Sequence, residues 1–271
     1  MLALGVVALV GREAAAQGVV VAPHAVFIDH RTRSGSVLLY NPNTEPAEVT
    51  ISLIYGVPVT DSLGDIKLDT VNTFDAAQRS SVAWLQAFPR RLTVAPLERQ
   101  TIRLLARPPA ELPDGEYWAR LVIAAKGGRI PVAGIADTSI QVGLSLEVRT
   151  IIGVNYRKGA VQTGVSLSQL RGVTAGDTMQ VWARFERQGN AAWIGTVRWT
   201  LVDSTGTVHG EYTSPLGVYR DLQPRFAMPV RPLPPGRYRL RLEAVSQRED
   251  LAPEVLLQTP AVRDSVEIRL P

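Results

Sequence analysis

Three histidines, His24, His30 and His209, are the side chains best suited to ligate a metal or move a proton near neutral pH. None stands four residues from another, the spacing that sets two imidazoles on one helix face, and each lies in or beside an apolar alternating segment. Asp29-His30 reads as a polar bend between two strands, and Glu249-Asp250 as solvated carboxylates of a charged loop. There is no G-x-S-x-G elbow and no Walker loop, so the glycines read as turn formers. With no cysteine in 271 residues, thiol catalysis and structural disulfides are both excluded. These residues predict no catalytic site, no metal and no cofactor.

Flat indoles offer a different chemistry. Trp182, Trp193 and Trp199 could stack on sugar faces, or they could fill the space between two sheets, as Trp84 and Trp118 could. Packing is the expected role, because these tryptophans lie within or next to alternating strands. The net charge is +4, but the basic residues are scattered among apolar positions instead of clustered, so nucleic acid is not an expected partner.

The elements that must position these groups are strands. From Val19 onward the apolar residues recur every second position, which puts them alternately on two faces of a pleated strand. Strands are expected at 19–22, 25–28, 36–40, 47–55, 91–94, 101–106 and 117–124, separated by turn formers such as Asn41-Pro42-Asn43. A second series is expected at 179–186, 196–202, 207–212, 225–229, 238–244 and 265–270, with Asp203-Ser204-Thr205-Gly206 as a hairpin turn. One short helix is expected around Ala76 to Gln86. Between the two series runs the longest alternation, Ser139 to Asn155, carrying Ile140, Val142, Leu144, Leu146, Val148, Ile152 and Val154.

A repeated signature divides the chain. Leu112-Pro113-Asp114-Gly115-Glu116-Tyr117 recurs as Leu233-Pro234-Pro235-Gly236-Arg237-Tyr238, each a proline-glycine turn feeding a strand that opens with tyrosine. In immunoglobulin-like sandwiches such a tyrosine returns its hydroxyl to nearby backbone and pins the corner between sheets. The expected fold is therefore all-β, two tandem immunoglobulin-like β-sandwich domains, at 17–158 and 159–271. Ahead of them, the apolar run Leu2 to Val10 followed by Ala14-Ala15-Ala16 has the pattern of a signal peptide over 1–16, which implies export. No segment approaches the ~20 apolar residues that a membrane-spanning helix requires.

Several stretches together resemble PapD-like periplasmic pilus chaperones, especially their archaic or alternative branch. They are Val21-Ala22-Pro23-His24-Ala25-Val26-Phe27, Val37-Leu38-Leu39-Tyr40-Asn41-Pro42, Arg91-Leu92-Thr93-Val94-Ala95-Pro96 and the Pro113-to-Tyr117 turn, with Arg187-Gln188-Gly189-Asn190 and Pro215 to Asp221 in the second half. The resemblance implies a non-enzymatic, periplasmic chaperone that binds secreted β-rich pilus or fibre subunits by donor-strand complementation, in concert with an outer-membrane usher. It assigns the donated side chains to Ile140, Val142, Leu144, Leu146 and Val148. Alternation alone leaves open that these five face their own domain's core. The runner-up is then a structural or adhesive cell-surface protein. The family also anchors a terminal carboxylate with a basic pair, whose positions here read His24 and Ile151. Arg149, on the same strand face as Ile151, is the expected substitute anchor beside His24.

Overall fold

The computed structural model describes residues 18–70, 79–130, 144–230 and 233–270. The expected signal segment 1–16 lies outside the described residues. So do Ile140 and Val142. Among the described residues no helix is long and apolar enough to cross a membrane.

The described first half holds eleven strands, nine of which close on one core. They are β1 (Val20–Ala22), β2 (Ala25–Asp29), β3 (Ser34–Tyr40), β4 (Ala47–Ile54), β5 (Val57–Thr60), β6 (Ile66–Asp69), β7 (Leu85–Phe88), β8 (Arg91–Val94), β9 (Arg99–Ala106), β10 (Gly115–Ile130) and β11 (Leu144–Lys158). One sheet has the order β1-β3-β9-β7 and the facing sheet β2-β11-β10-β4-β8, with β5 and β6 forming a separate hairpin. Their inner faces meet in a core that includes Val37, Leu39, Ile102, Leu104, Leu121, Ile123, Val154 and Tyr156. Burial of such apolar area is the main force holding a disulfide-free sandwich together.

The second half repeats the plan with β12 (Thr163–Ala175), β13 (Thr178–Gly189), β14 (Trp193–Asp203), β15 (Val208–Val218), β16 (Arg225–Pro229), β17 (Gly236–Val245) and β18 (Val262–Leu270). Sheets β12-β13-β16 and β15-β14-β17-β18 enclose a separate core. Trp193 and Trp199 are fully inside, so their indole faces are not presented to a sugar. Trp182 is half-buried beneath the Arg171 guanidinium, 4.1 Å from the ring centroid. Both tyrosine corners close as the repeat implies: Tyr117 donates to the Pro113 carbonyl at 2.9 Å, and Tyr238 to the Pro234 carbonyl at 2.8 Å.

Several features depart from the sequence expectation, among them the hairpin strands β5 and β6, which fall where no strand was expected. The helix around Ala76 to Gln86 does not form: residues 76–78 lie outside the described residues, 79–84 make a bridge and turns, and Leu85–Phe88 is β7. Leu85 and Ala87 alternate into the core while β7 pairs with β9, so sheet pairing overrides a weak helical pattern. Strand β12 was not expected. Its alternation is broken between Ser168 and Arg171, where the register against β13 shifts and Gln169 takes a positive φ of 54°. Such a bulge moves Leu170 inward out of phase with Val165 and Leu167 and hides the strand from a period-two reading. Finally, β11 continues to Lys158, past the expected end at Asn155, because it pairs with β10 throughout and takes up β2 in parallel from Gly153 to Arg157.

The two sandwiches meet through a third cluster containing Tyr55, Val57, Trp118, Ala192, Ile194, Tyr219, Leu251 and Leu256. Trp118 and Tyr219 pack edge to face at 5.3 Å between ring centroids. The β5–β6 hairpin reaches across as well: the Arg225 amide donates to the Gly64 carbonyl at 2.7 Å, and its guanidinium pairs with Asp65 at 2.7 Å. Gly64 has φ +86°, and a Cβ there would sit 2.8 Å from Arg225 Cβ, so this close crossing requires glycine.

Candidate functional site

Strand β11 carries three of the five expected binding residues, Leu144, Leu146 and Val148. Its even-numbered residues face the first core: Ile152, Val154 and Tyr156 are buried there, opposite Leu121, Ala119 and Tyr117 of β10. The same series continues toward the start of the strand, but burial fades along it. Ile152 is 4% exposed, Thr150 and Val148 are half-buried, and Leu146 is 42% exposed. Leu144 is placed in the strand by backbone pairing with Ile130. Core-facing and outward-offered are thus two stretches of one face.

The edge of the strand changes in step with its face. On one side β10 pairs along all of β11, with a register shift between Lys126 and Arg129 opposite its first residues. On the other side β2 covers only Gly153 to Arg157, and among the described residues no strand pairs with 144–152 on that edge. Unpaired backbone N–H and C=O groups beside a partly exposed apolar row can accept an additional strand. Gly18 lies close to Val148, where a Cβ on it would stand 3.3 Å from Val148 Cβ.

The expected anchors are engaged elsewhere. His24 is 66% exposed, with Nδ1 3.7 Å from an Asp250 carboxylate oxygen. Arg149 donates from Nε to Glu147 at 2.6 Å, and Lys126 lies 3.4 Å from the other oxygen of the same carboxylate. The hydrogen bond from Arg149 is the main cause holding the Glu147 carboxyl below its ordinary range. Among the described residues no hydrogen bond or ion pair joins His24 to Arg149. His30 bonds the Tyr156 hydroxyl and His209 bonds Asp203 at 2.8 Å, so both act as local braces. Among the described residues no group of three His, Asp or Glu side chains could hold a metal ion.

The outer face of β10 and β11 carries polar groups whose roles the sequence did not signal. Fully buried Glu116 accepts from Arg157 Nε at 2.8 Å, from Trp118 Nε1 at 2.7 Å and from the Ala192 amide at 3.1 Å. Arg157 Nη1 also donates to the Val255 carbonyl at 2.6 Å, so this ion pair ties both sandwiches together. Arg120 and Asn155 lie on the same face, also buried. In sequence they read as solvated strand residues, and only coverage by the second sandwich makes them interior.

No family model matches the chain, and no curated protein matches it. Among solved structures it is similar to the YadV chaperone, with 16% identity over 92% of this chain and 99% of that one, at a TM-score of 0.44. It is also similar to the Pseudomonas aeruginosa CupB2 chaperone, with 13% identity over 93% and 100%, at a TM-score of 0.39. A third is the CsuC–CsuE chaperone–tip adhesion subunit pre-assembly complex from archaic chaperone-usher Csu pili of Acinetobacter baumannii. There the identity is 13%, over 84% of this chain and 92% of that one, at a TM-score of 0.49.

Proposed function

We propose that this chain is a periplasmic chaperone-like protein that captures exported β-rich pilus or fibre subunits along the free edge of β11. The observation that carries the reading is the open half of that strand, where an apolar row leaves the sandwich and, among the described residues, no strand pairs with the backbone edge. A partner strand laid there gains generic affinity from main-chain hydrogen bonds. Leu146 and Val148, continued by Leu144, Val142 and Ile140, supply the side chains that fill the partner's groove. Covering such a groove keeps an incomplete sandwich from aggregating. In this reading residues 1–16 direct export, 17–158 form the capturing unit and 159–271 the second, and an outer-membrane usher receives the loaded complex.

The test is co-expression with exported β-rich proteins encoded beside this one, followed by affinity capture. Co-purification that is lost in Leu146→Asp, with thermal melting unchanged, is the expected result. A chain that captures none of them and is retained at the cell surface instead is a structural surface protein, and the proposal fails.

A further inference from the structure

The outer face of the sheet β15-β14-β17-β18 gathers arginines that stand apart in the sequence. In β17 the alternate residues Tyr238, Leu240 and Leu242 are buried, so Arg237, Arg239 and Arg241 all point outward and are exposed. Directly opposed residues share a face of a sheet. The register therefore adds Arg198 of β14 opposite Glu243, and Arg263, Glu267 and Arg269 of β18 opposite Glu243, Arg239 and Arg237. Glu211 of β15 joins them opposite Thr200. Six arginines against three glutamates leave this face with three net positive charges, most of the +4 of the whole chain. The acids are already shared out. Glu243 pairs with Arg263 and lies 3.8 Å from Arg198, Glu211 lies 3.5 Å from Arg198, and Glu267 lies 3.3 Å from Arg239. Among the described residues no acid is paired with Arg237, Arg241 or Arg269, although Arg237 and Arg269 stand directly opposite each other.

Like charges set opposite each other in a sheet are destabilising, and no acid of the described residues relieves this pair. An anion from outside would, and guanidinium forks match the oxygens of phosphate two at a time. Neighbouring strands lie about 4.8 Å apart and successive outward residues about 7 Å apart along each strand, so the cations form a broad grid suited to a layer of phosphates. Among the described residues of β14, β17 and β18 no large apolar side chain is exposed, so those strands lack the apolar anchors on which protein partners depend. At one end of the grid the Ser204-Thr205-Gly206 turn and Arg237, Arg239 and Arg241 line a recess of about 540 Å³, into which a phosphate headgroup can enter. Its acids Asp203 and Glu267 are engaged by His209 and Arg239. We propose that this face docks the second sandwich on an anionic phospholipid surface, with headgroup phosphates held at Arg237, Arg241 and Arg269. Such attraction sums several weak contacts and is screened by salt, so docking is reversible and needs no spanning segment. The face shares no residue with β11, so docking and strand capture stand or fall separately.

The experiment sediments the full chain with vesicles of phosphatidylcholine alone, or of phosphatidylcholine and phosphatidylglycerol in equal parts, over a series of sodium chloride concentrations. The mixed vesicles are expected to retain the chain at low salt and release it as salt rises, and phosphatidylcholine alone to retain none. Changing Arg237→Gln, Arg241→Gln and Arg269→Gln together should weaken retention about a hundredfold, as three surface arginines allow, while melting stays the same or rises because repulsion is removed. Lysine at the same three positions should keep most of the binding, since the charge remains. Arg91→Gln, Arg103→Gln and Arg107→Gln together remove the same charge from exposed positions of the first sandwich, and that variant should bind as the wild type does. Leu146→Asp, which abolishes capture, should also leave vesicle binding unchanged. No retention by the mixed vesicles, equal retention by both kinds, equal loss in the two glutamine variants, or binding that survives in the Arg237 variant overturns the proposal. A short DNA duplex bound more tightly than the mixed vesicles at the same ionic strength also overturns it, in favour of nucleic acid.

Discussion

Strand β11 is one unbroken ladder against β10, yet its two halves sit in different surroundings. From Gly153 to Arg157 it is flanked by strands on both edges, and Val154 and Tyr156 are buried against the facing sheet. From Leu144 to Ile152 it pairs, among the described residues, with β10 alone, and its apolar row passes from buried Ile152 to exposed Leu146. Apart from Thr150 the inward-facing series stays apolar along the way, and the neighbours change. The closed half holds the first sandwich against the second, through Arg157, Glu116 and the Val255 carbonyl, and in the proposed function that base presents the open half to a partner. A binding strand must be firmly fixed at one end and unfinished at the other.

Breaking the closed half should cost the most. Glu116→Gln leaves half-buried Arg157 without its acid and should lower unfolding stability by about 3 kcal/mol in urea denaturation. Ile152→Ala should cost about 3 kcal/mol through the cavity it opens. Leu146→Ala, six residues away on the same face, should change stability by no more than ~0.5 kcal/mol while weakening partner capture. Equal destabilisation by the two alanine variants would erase the distinction between the halves.

Smaller effects sharpen the contrast. Tyr117→Phe removes the corner bond at the start of β10, next to the closed half of β11, and should cost about 1 kcal/mol; Tyr238→Phe should cost about the same in the second sandwich. The smallest effect concerns the hairpin that braces the closed end. Lys67, with the amides of Asp65 and Leu63, holds the Asp61 carboxyl at about 2, below its ordinary 3.8. Because the folded value is the lower one, the contribution is present above the ordinary value and disappears as pH falls through about 2. An NMR titration of the β5–β6 amides should follow that loss, and Lys67→Met should return Asp61 toward 3.8.

Much of the fold was legible because local rules agreed with the global one. Alternation located most strands, and the two Pro-Gly-Tyr turns announced the tyrosine corners before any geometry was known. Strand β12 escaped because its bulge shifts the phase of Leu170, and β7 because four residues ahead of Pro89 give too short a pattern. The candidate binding row was legible as an apolar row, in Leu144, Leu146 and Val148, and the fading burial from Ile152 to Leu146 was not.

The sequence by itself determined that the chain alternates, that it carries no thiol, and that a long apolar strand joins its two halves, since these depend only on the order of side chains. Tertiary structure decided which part of that strand is covered, because coverage depends on where β2 joins the sheet and where burial against the facing sheet gives out. It also decided that Arg120 is interior. An arginine on an outward strand face is solvated unless another domain folds over it, and here Tyr219 of the second sandwich does.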